Sequence, residues 1–175
     1  MRRFENRVVL VTGAGSGIGR ASAQRIATEG GRVFCLDIAP EGLEGTVAAI
    51  RDAGGEAASR VCDVADEAQV NAAVAACVEH FGSLYALVNM AGLLRFDDTR
   101  ELRTADWQRV MDINLSGTMY LCRAAIPHLL ETRGSIVNAA STAALSGLPW
   151  GVAYSASKGG VLAMTRSSAV HFAKR

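Results

Sequence analysis

Tyr154 and Lys158 stand four residues apart in the segment Tyr-Ser-Ala-Ser-Lys. On a helix this spacing places the phenol and the ammonium on one face. A phenol can donate or accept a proton, and a neighbouring cation stabilises its phenolate form. The spacing is common and on its own favours an exposed pair without a function. The position of the pair, on a helix that follows a predicted strand, favours general acid/base chemistry instead.

A third polar side chain, Ser141, precedes Tyr154 by thirteen residues and follows an apolar run that we expect to be a buried strand. Ligands of doubly wound sheets bind at the carboxyl ends of the strands. Ser141 is therefore placed where a ligand is expected to bind. Asn114 lies among apolar neighbours inside a predicted helix, where an asparagine is unfavourable without a specific role.

The segment from Thr12 to Gly19 reads Thr-Gly-Ala-Gly-Ser-Gly-Ile-Gly and joins a predicted strand to a predicted helix. Glycines let the backbone approach a pyrophosphate closely, and a helix N-terminus favours an anion. Ordinary turn chemistry is the alternative, because a glycine-rich turn alone is a weak signal. The residues expected at the pyrophosphate are Gly13, Ser16, Gly17, Ile18 and Gly19.

Two aspartates follow the second and third predicted strands. Asp37 comes eighteen residues after Gly19, where an acid can accept hydrogen bonds from both ribose hydroxyls of NAD and would repel the 2′-phosphate of NADP. Asp63 follows the third strand and precedes Val64. For each aspartate the alternative is that it caps the N-terminus of the next helix.

These residues need a scaffold in which strands and helices alternate. Short apolar runs predict strands at residues 7–12, 32–37, 56–62, 84–89 and 134–140, and longer segments predict helices at about 17–30, 41–53, 66–81, 104–131 and 153–174. Strands that are apolar throughout are typical of a parallel sheet buried on both faces. The sequence therefore predicts an α/β fold, a Rossmann-type doubly wound parallel sheet in three layers, formed by one domain over residues 1–175.

The composition argues against several other classes of protein. The 175 residues carry a formal net charge of +1, which gives no electrostatic reason to expect a nucleic-acid or membrane partner. We expect a cytoplasmic protein, because no signal-peptide pattern and no apolar run of about eighteen residues is present. Metal-site spacing is also absent, so no metal is expected, and the cysteines should be small buried apolar residues: Cys35, Cys62, Cys77 and Cys122.

The chain resembles the short-chain dehydrogenase/reductase family, whose nucleotide-binding turn has the form Thr-Gly-x-x-x-Gly-x-Gly. Ile18 stands where the Gly-x-Gly-x-x-Gly turn of the larger dehydrogenases has its third glycine. Matches continue through nearly the whole length and include Tyr154 and Lys158. The resemblance implies an enzyme that binds NAD and transfers hydride between nicotinamide and a secondary alcohol or ketone.

The resemblance also implies a role for each candidate residue. Tyr154 would be the general acid/base, Lys158 would stabilise its phenolate and hold the nicotinamide ribose, and Ser141 would bind the substrate oxygen. Asn114 would hold a water molecule that links Lys158 to solvent. The remaining contacts would be Asp63 and Val64 with adenine, the backbone of Asn89, Ala91 and Gly92 with the cofactor, and Leu93, Ala143 and Trp150 with the substrate. Trp150 could equally be ordinary packing.

Met90 departs from the family pattern, which usually reads Asn-Asn-Ala-Gly where this chain has Asn-Met-Ala-Gly. The thioether cannot make the hydrogen bonds of an amide, so we expect some loss of rigidity rather than loss of cofactor binding.

The two long C-terminal helices carry apolar residues on more than one face, which predicts a homodimer or homotetramer. The residues that suggest it are Ala124, Ala125, Val161, Leu162, Met164 and Ala169. Members of the resembling family normally continue beyond this point with further strands and a substrate-covering loop, so we expect a truncated chain. A nucleotide-binding module without turnover is the alternative function.

Overall fold

The centre of the fold is a parallel sheet of five strands in the order β3-β2-β1-β4-β5, seen in a computed structural model that describes residues 2–173. The strands are β1 Val8–Thr12, β2 Arg32–Asp37, β3 Glu56–Val61, β4 Ala86–Asn89 and β5 Ser135–Asn138. The helices are α1 Gly17–Thr28, α2 Pro40–Asp52, α3 Glu67–Phe81, α4 Thr104–Met111, α5 Gly117–Thr132, α6 Ala143–Ser146 and α7 Val152–Phe172. The order changes direction at β1, so the predicted doubly wound sheet is confirmed.

Both faces of the sheet are buried, because side chains alternate between the faces along each strand. Val8 and Leu10 of β1 belong to the apolar cluster that includes α3 and α5, whereas Val9 and Val11 belong to the cluster that includes α1 and α2. The predicted three layers are therefore confirmed. The four cysteines are buried and free, as expected, and burial raises the pKa of the Cys77 thiol to about 12.

Glycines end the helices that lead into β2 and β3. Gly30 and Gly54 have φ angles of 89° and 79°, a left-handed conformation in which other residues are strained. From the sequence alone, the Gly-Gly pairs at 30–31 and 54–55 predict helix ends that need a positive φ, and the structure confirms both.

The helix predicted over residues 104–131 is interrupted. A π-helical segment, Asp112–Ser116, joins α4 to α5, and the N–H of Gly117 donates to the carbonyl of Asp112 five residues earlier. Such segments depend on tertiary contacts and often occur at functional sites; this one contains Asn114. The short helix α6 was not expected, the strands β4 and β5 are shorter than predicted, and the expected helical end at Lys174 lies outside the described residues.

Candidate active site

A cleft of about 430 Å³ lies along the carboxyl ends of β1, β2, β3 and β4. Its walls contain most of the residues predicted to bind the cofactor: Gly13, Ser16, Gly17, Ile18, Gly19, Asp37, Asp63, Val64, Ala91 and Gly92. The other lining residues are Ile38, Cys62, Met90, Leu93, Arg109 and Ile113. The fold therefore brings most of the predicted nucleotide-binding residues together in one cleft, whereas Asn89, Tyr154 and Lys158 are not among its lining residues.

The start of α1 fits an anionic group. Ser16 is the N-cap but its side chain makes no capping hydrogen bond, and the first turn contains no acidic residue. The first N–H groups of a helix have no partner within the helix, and they carry the positive end of its dipole. They are therefore available to a pyrophosphate.

Two glycines allow the backbone to pack closely beside this helix end. A methyl group on Gly13, whose φ is 64°, would lie 2.9 Å from the backbone nitrogen of Ala91. A methyl group on Gly19 would lie 2.1 Å from the carbonyl oxygen of Gly13. By contrast, a methyl group on Gly17 would meet no atom within 4 Å, so the turn is tight against the protein and open towards the cleft.

Thr12 ties β1 to the segment that follows β4. Its hydroxyl oxygen accepts hydrogen bonds from the N–H groups of Met90 at 3.1 Å and Ala91 at 3.0 Å. The Met90 side chain packs against the cluster formed with α1 and α2. This brace uses backbone groups of residues 90 and 91 and therefore does not depend on the side chain at position 90.

Both oxygens of the Asp37 carboxylate are held by the backbone. Oδ2 accepts from the N–H of Gly15 at 2.8 Å, and Oδ1 accepts from the N–H of Ala39 at 3.0 Å. Ala39, not Asp37, is the N-cap of α2, so the capping alternative for Asp37 is wrong. Each carboxylate oxygen retains a lone pair that could accept a ribose hydroxyl.

Asp63 and Val64 follow β3 and line the same cleft. The carboxylate of Asp63 accepts from the N–H of Ala65 at 3.0 Å. The N-cap of α3 is Asp66, whose carboxylate accepts from the N–H groups of Ala68 and Gln69. The capping alternative for Asp63 is therefore wrong as well, and its carboxylate lines the cleft.

Lys158 is buried, with 5% of its surface exposed. Its Nζ donates to the carbonyl of Ala139 at 2.6 Å and lies over the Tyr154 ring, 5.8 Å from the centroid. A methyl group on Gly92 would lie 3.5 Å from the same Nζ. The exposed-pair alternative is therefore wrong, and burial lowers the pKa of the ammonium.

Asn114 is completely buried and all of its side-chain polar atoms are engaged. Oδ1 accepts from the N–H of Leu93 at 2.7 Å, while Nδ2 donates to the carbonyl of Leu93 at 2.9 Å and to the hydroxyl of Ser157 at 3.0 Å. The side chain thus links the segment after β4 to α7. Its predicted part in holding a water molecule stays a prediction.

The predicted substrate contacts are more scattered. Ser141 is half-buried after β5, and its hydroxyl oxygen accepts from the N–H of Ala143 at 3.1 Å. Ala143 is buried, Leu93 lines the cleft, and Trp150 is 61% exposed, which argues against ordinary packing for its ring. Asn89 does not line the cleft; its side-chain amide donates to Oδ1 of Asn138 at 2.8 Å.

Several residues at the site escaped the sequence analysis, among them Thr12, Ser157 and Arg109. Thr12 and Ser157 were passed over although each lies inside a motif that was recognised, and their buried hydroxyls connect separate segments. Arg109 lines the cleft one helical turn before Ile113, which lines it too. The four-residue spacing of Arg109 and Ile113 was the available signal.

The described residues 2–173 include no group of three or more histidine, cysteine, aspartate or glutamate side chains placed to hold a metal ion. Within the same range, no helix combines the length and apolar character needed to cross a membrane.

Comparisons with known proteins agree with this geometry. The profile of the short chain dehydrogenase family matches residues 7–175. A D-threitol dehydrogenase from Mycolicibacterium smegmatis is 42% identical over 174 residues, which covers 99% of this chain and 67% of that protein. The solved structure of an NAD⁺-bound xylitol dehydrogenase superposes with a TM-score of 0.94 at 38% identity, covering 98% of this chain and 66% of that one.

A second solved structure, an actinorhodin polyketide ketoreductase with NADPH, gives a TM-score of 0.93 at 40% identity and covers 99% of this chain and 67% of that one. The chain thus spans about two thirds of the length of these proteins.

Proposed function

The chain belongs to the short-chain dehydrogenase family, and from this premise we propose that it is an NAD(H)-dependent oxidoreductase acting on a secondary alcohol or the corresponding ketone. The observation that carries the proposal is the place of Lys158. Its buried Nζ adjoins Gly92 in the wall of the cleft and lies over the ring of Tyr154. One cation therefore stands between the nucleotide-binding residues and the proposed acid/base.

The cleft residues would hold NAD in four places. The N–H groups at the start of α1 would bind the pyrophosphate, Asp37 the adenosine ribose, Asp63 with Val64 the adenine, and Lys158 the nicotinamide ribose. When bound, the nicotinamide ring supplies or accepts the hydride. We favour NAD over NADP because the fixed carboxylate of Asp37 would repel a 2′-phosphate, although the similar structures include one with NADPH.

Tyr154 would move the proton. In alcohol oxidation its phenolate accepts the proton of the substrate hydroxyl as the carbon loses hydride, and in ketone reduction the phenol returns a proton to the oxygen. The ammonium of Lys158 stabilises the phenolate, and its burial strengthens this interaction because the local dielectric constant is low. The hydroxyl of Ser141 would donate to the substrate oxygen.

Exposed apolar side chains in the segments that follow β4 and β5 support a substrate with an apolar portion. Phe96, Leu145 and Trp150 are among the exposed large hydrophobic residues. The N–H of Asp97 donates to the carbonyl of Trp150 at 2.7 Å, so the segments after β4 and β5 adjoin one another. A small secondary alcohol or ketone, aliphatic or cyclic, would suit such a surface.

We also propose that the chain forms a single domain and is cytoplasmic. Copies of it would assemble into a homodimer or homotetramer. Of the residues that suggested it, Ala125 and Val161 are buried within the chain itself and cannot form an interface. The side chains of Leu130 on α5 and Val170 on α7 are exposed and apolar, so they support an interface instead. A monomer in sedimentation at micromolar concentration would contradict the assembly.

The experiment measures NAD binding by calorimetry and then hydride transfer by nicotinamide absorbance, with secondary alcohols that include threitol and xylitol. Tyr154→Phe is the matched variant, because it removes the proton but keeps the ring. We expect the chain to bind NAD and turn over at least one alcohol, and Tyr154→Phe to bind NAD equally while turnover is lost. Binding without turnover of any alcohol would favour the nucleotide-binding module, and no binding of NAD would exclude both functions.

A further inference from the structure

Gly15 is held through both of its backbone polar groups inside the glycine-rich turn. Its N–H donates to Oδ2 of Asp37 at 2.8 Å, and its carbonyl oxygen accepts a hydrogen bond from Nη2 of Arg20. The N–H belongs to the peptide group between Ala14 and Gly15, and the carbonyl belongs to the peptide group between Gly15 and Ser16. An anion and a cation thus hold the two peptide groups that flank the Gly15 Cα, and rotation of either one would break a charge-assisted hydrogen bond.

Arg20 is itself fixed by α2. Its Nε donates to the hydroxyl oxygen of Thr46 at 3.1 Å, and Nη2 also approaches the carbonyl of Gly42 at 3.5 Å. Thr46 is completely buried, and its hydroxyl donates to the carbonyl of Ala14 at 2.8 Å. The guanidinium is thus held by α2 while it holds the turn.

The turn and the carboxylate are in direct contact, so a small displacement of one must move the other. A methyl group on Gly15 would lie 2.8 Å from Oδ2 of Asp37. A methyl group on Gly42 would lie 2.7 Å from the carbonyl oxygen of Gly15. The backbone of Gly15 is therefore packed closely against Asp37 on one side and against Gly42 of α2 on the other.

We infer that Arg20, supported by Thr46, is a positioning residue that orients the Asp37 carboxylate for the adenosine ribose and so sets the affinity for NAD. The inference rests on the proposed function, because it assigns Asp37 to that ribose. Arg20 acts only through Gly15: it holds the carbonyl of the residue whose N–H holds the carboxylate, and it also binds Thr46, which holds the preceding carbonyl of Ala14. Its effect on NAD binding must therefore depend on the presence of Asp37.

The test compares Arg20→Met with the unsubstituted chain in calorimetric titrations with NAD and with nicotinamide mononucleotide, which lacks the adenosine half. We expect Arg20→Met to weaken NAD binding about tenfold, since a charge-assisted hydrogen bond is lost. Binding of the mononucleotide should change by less than about twofold, because its contacts lie at the other end of the cleft. Arg25→Met removes the same charge from the same helix, away from the turn, and should leave the affinity for NAD unchanged.

A double-mutant cycle separates positioning from general destabilisation. In the Asp37→Ala background, Arg20→Met should weaken NAD binding by less than about twofold, because the group that it positions is absent. Thr46→Val removes one support and serves if Arg20→Met fails to fold; its loss should be smaller, about threefold, and should also disappear with Asp37→Ala.

If the loss persists in the Asp37→Ala background, or if Arg20→Met binds NAD as tightly as the unsubstituted chain, the inference is wrong while the proposed function stands. If the unsubstituted chain does not bind NAD, both are wrong.

Discussion

The side-chain amide of Asn114 donates a 3.0 Å hydrogen bond to the hydroxyl of Ser157, and both side chains are completely buried. Ser157 in turn donates to the carbonyl of Tyr154 at 2.8 Å. Because Asn114 also binds both backbone groups of Leu93, one side chain joins the cleft wall to the helix that carries Tyr154 and Lys158. The π-helical segment is thus a junction between the two halves of the candidate site.

Ser157→Ala should lower the free energy of unfolding by about 1–3 kcal/mol, because it leaves a buried amide hydrogen of Asn114 without its partner. Ser155→Ala is the matched control two residues away. The buried hydroxyl of Ser155 has no hydrogen-bond partner in the structure, so its removal should leave stability unchanged or raise it. Urea unfolding measures both variants, and equal losses in the two would contradict this account of the junction.

Asp37→Ala should reduce the preference for NAD. We expect the unsubstituted chain to bind NAD more tightly than NADP by about 1–3 kcal/mol, because a 2′-phosphate would meet a carboxylate that two backbone N–H groups hold in place. Asp63→Ala is the control, since adenine is common to both cofactors and their affinities should fall together. Calorimetry with each cofactor decides the point, and equal affinities in the unsubstituted chain would refute it.

The parts of the fold that could be predicted depend on interactions along the chain or on strand burial. The apolar run of β1 predicted a strand buried on both faces, and Gly30 and Gly54 predicted left-handed helix ends. The glycine-rich turn and the aspartates after β2 and β3 could also be placed, because each follows a predicted strand. In a doubly wound sheet the carboxyl ends of the strands meet at one edge, whatever the details of the packing.

The parts that could not be predicted depend on contacts between distant residues. Asn114 was recognised as a polar residue in an apolar helix, but its partners Leu93 and Ser157 lie 21 and 43 residues away. The π-helical segment around Asn114 depends on those contacts, and no local pattern in the sequence indicates it. Arg20 likewise looked like an ordinary helical residue until the fold placed Thr46 and Gly15 beside it.

Glu29→Gln should make the protein less stable in a pH-dependent way. Hydrogen bonds from Arg3 and then Arg25 lower the pKa of the Glu29 carboxyl from 4.5 to about 2. Its stabilisation is therefore complete above pH 4.5 and is lost as the pH falls towards about 2. The difference in melting temperature between Glu29→Gln and the unsubstituted chain should shrink over that range. As a control, Glu5→Gln removes an exposed ion pair with Arg2 and should have little effect on the melting temperature at any pH. If the difference in melting temperature between Glu29→Gln and the unsubstituted chain does not change with pH, the assignment of this pH dependence to Glu29 is wrong.

Lys158→Met should abolish turnover and yet relieve a cost of folding. Burial lowers the pKa of the Lys158 ammonium below its ordinary value of 10.5, so the folded protein binds that proton less tightly than the unfolded chain does. Between the lowered pKa and 10.5 the unfolded chain holds more protons, and the stability of the unsubstituted protein therefore gains from this group as the pH rises. Lys158→Met lacks the group, so the difference in the free energy of unfolding should favour methionine most at neutral pH and should decline as the pH approaches 10.5.

Arg166→Met, which removes an exposed charge from the same helix, should show no such trend. Unfolding in urea at several pH values measures all three proteins, and a difference between Lys158→Met and the unsubstituted chain that stays constant with pH would show that the buried ammonium carries no such cost.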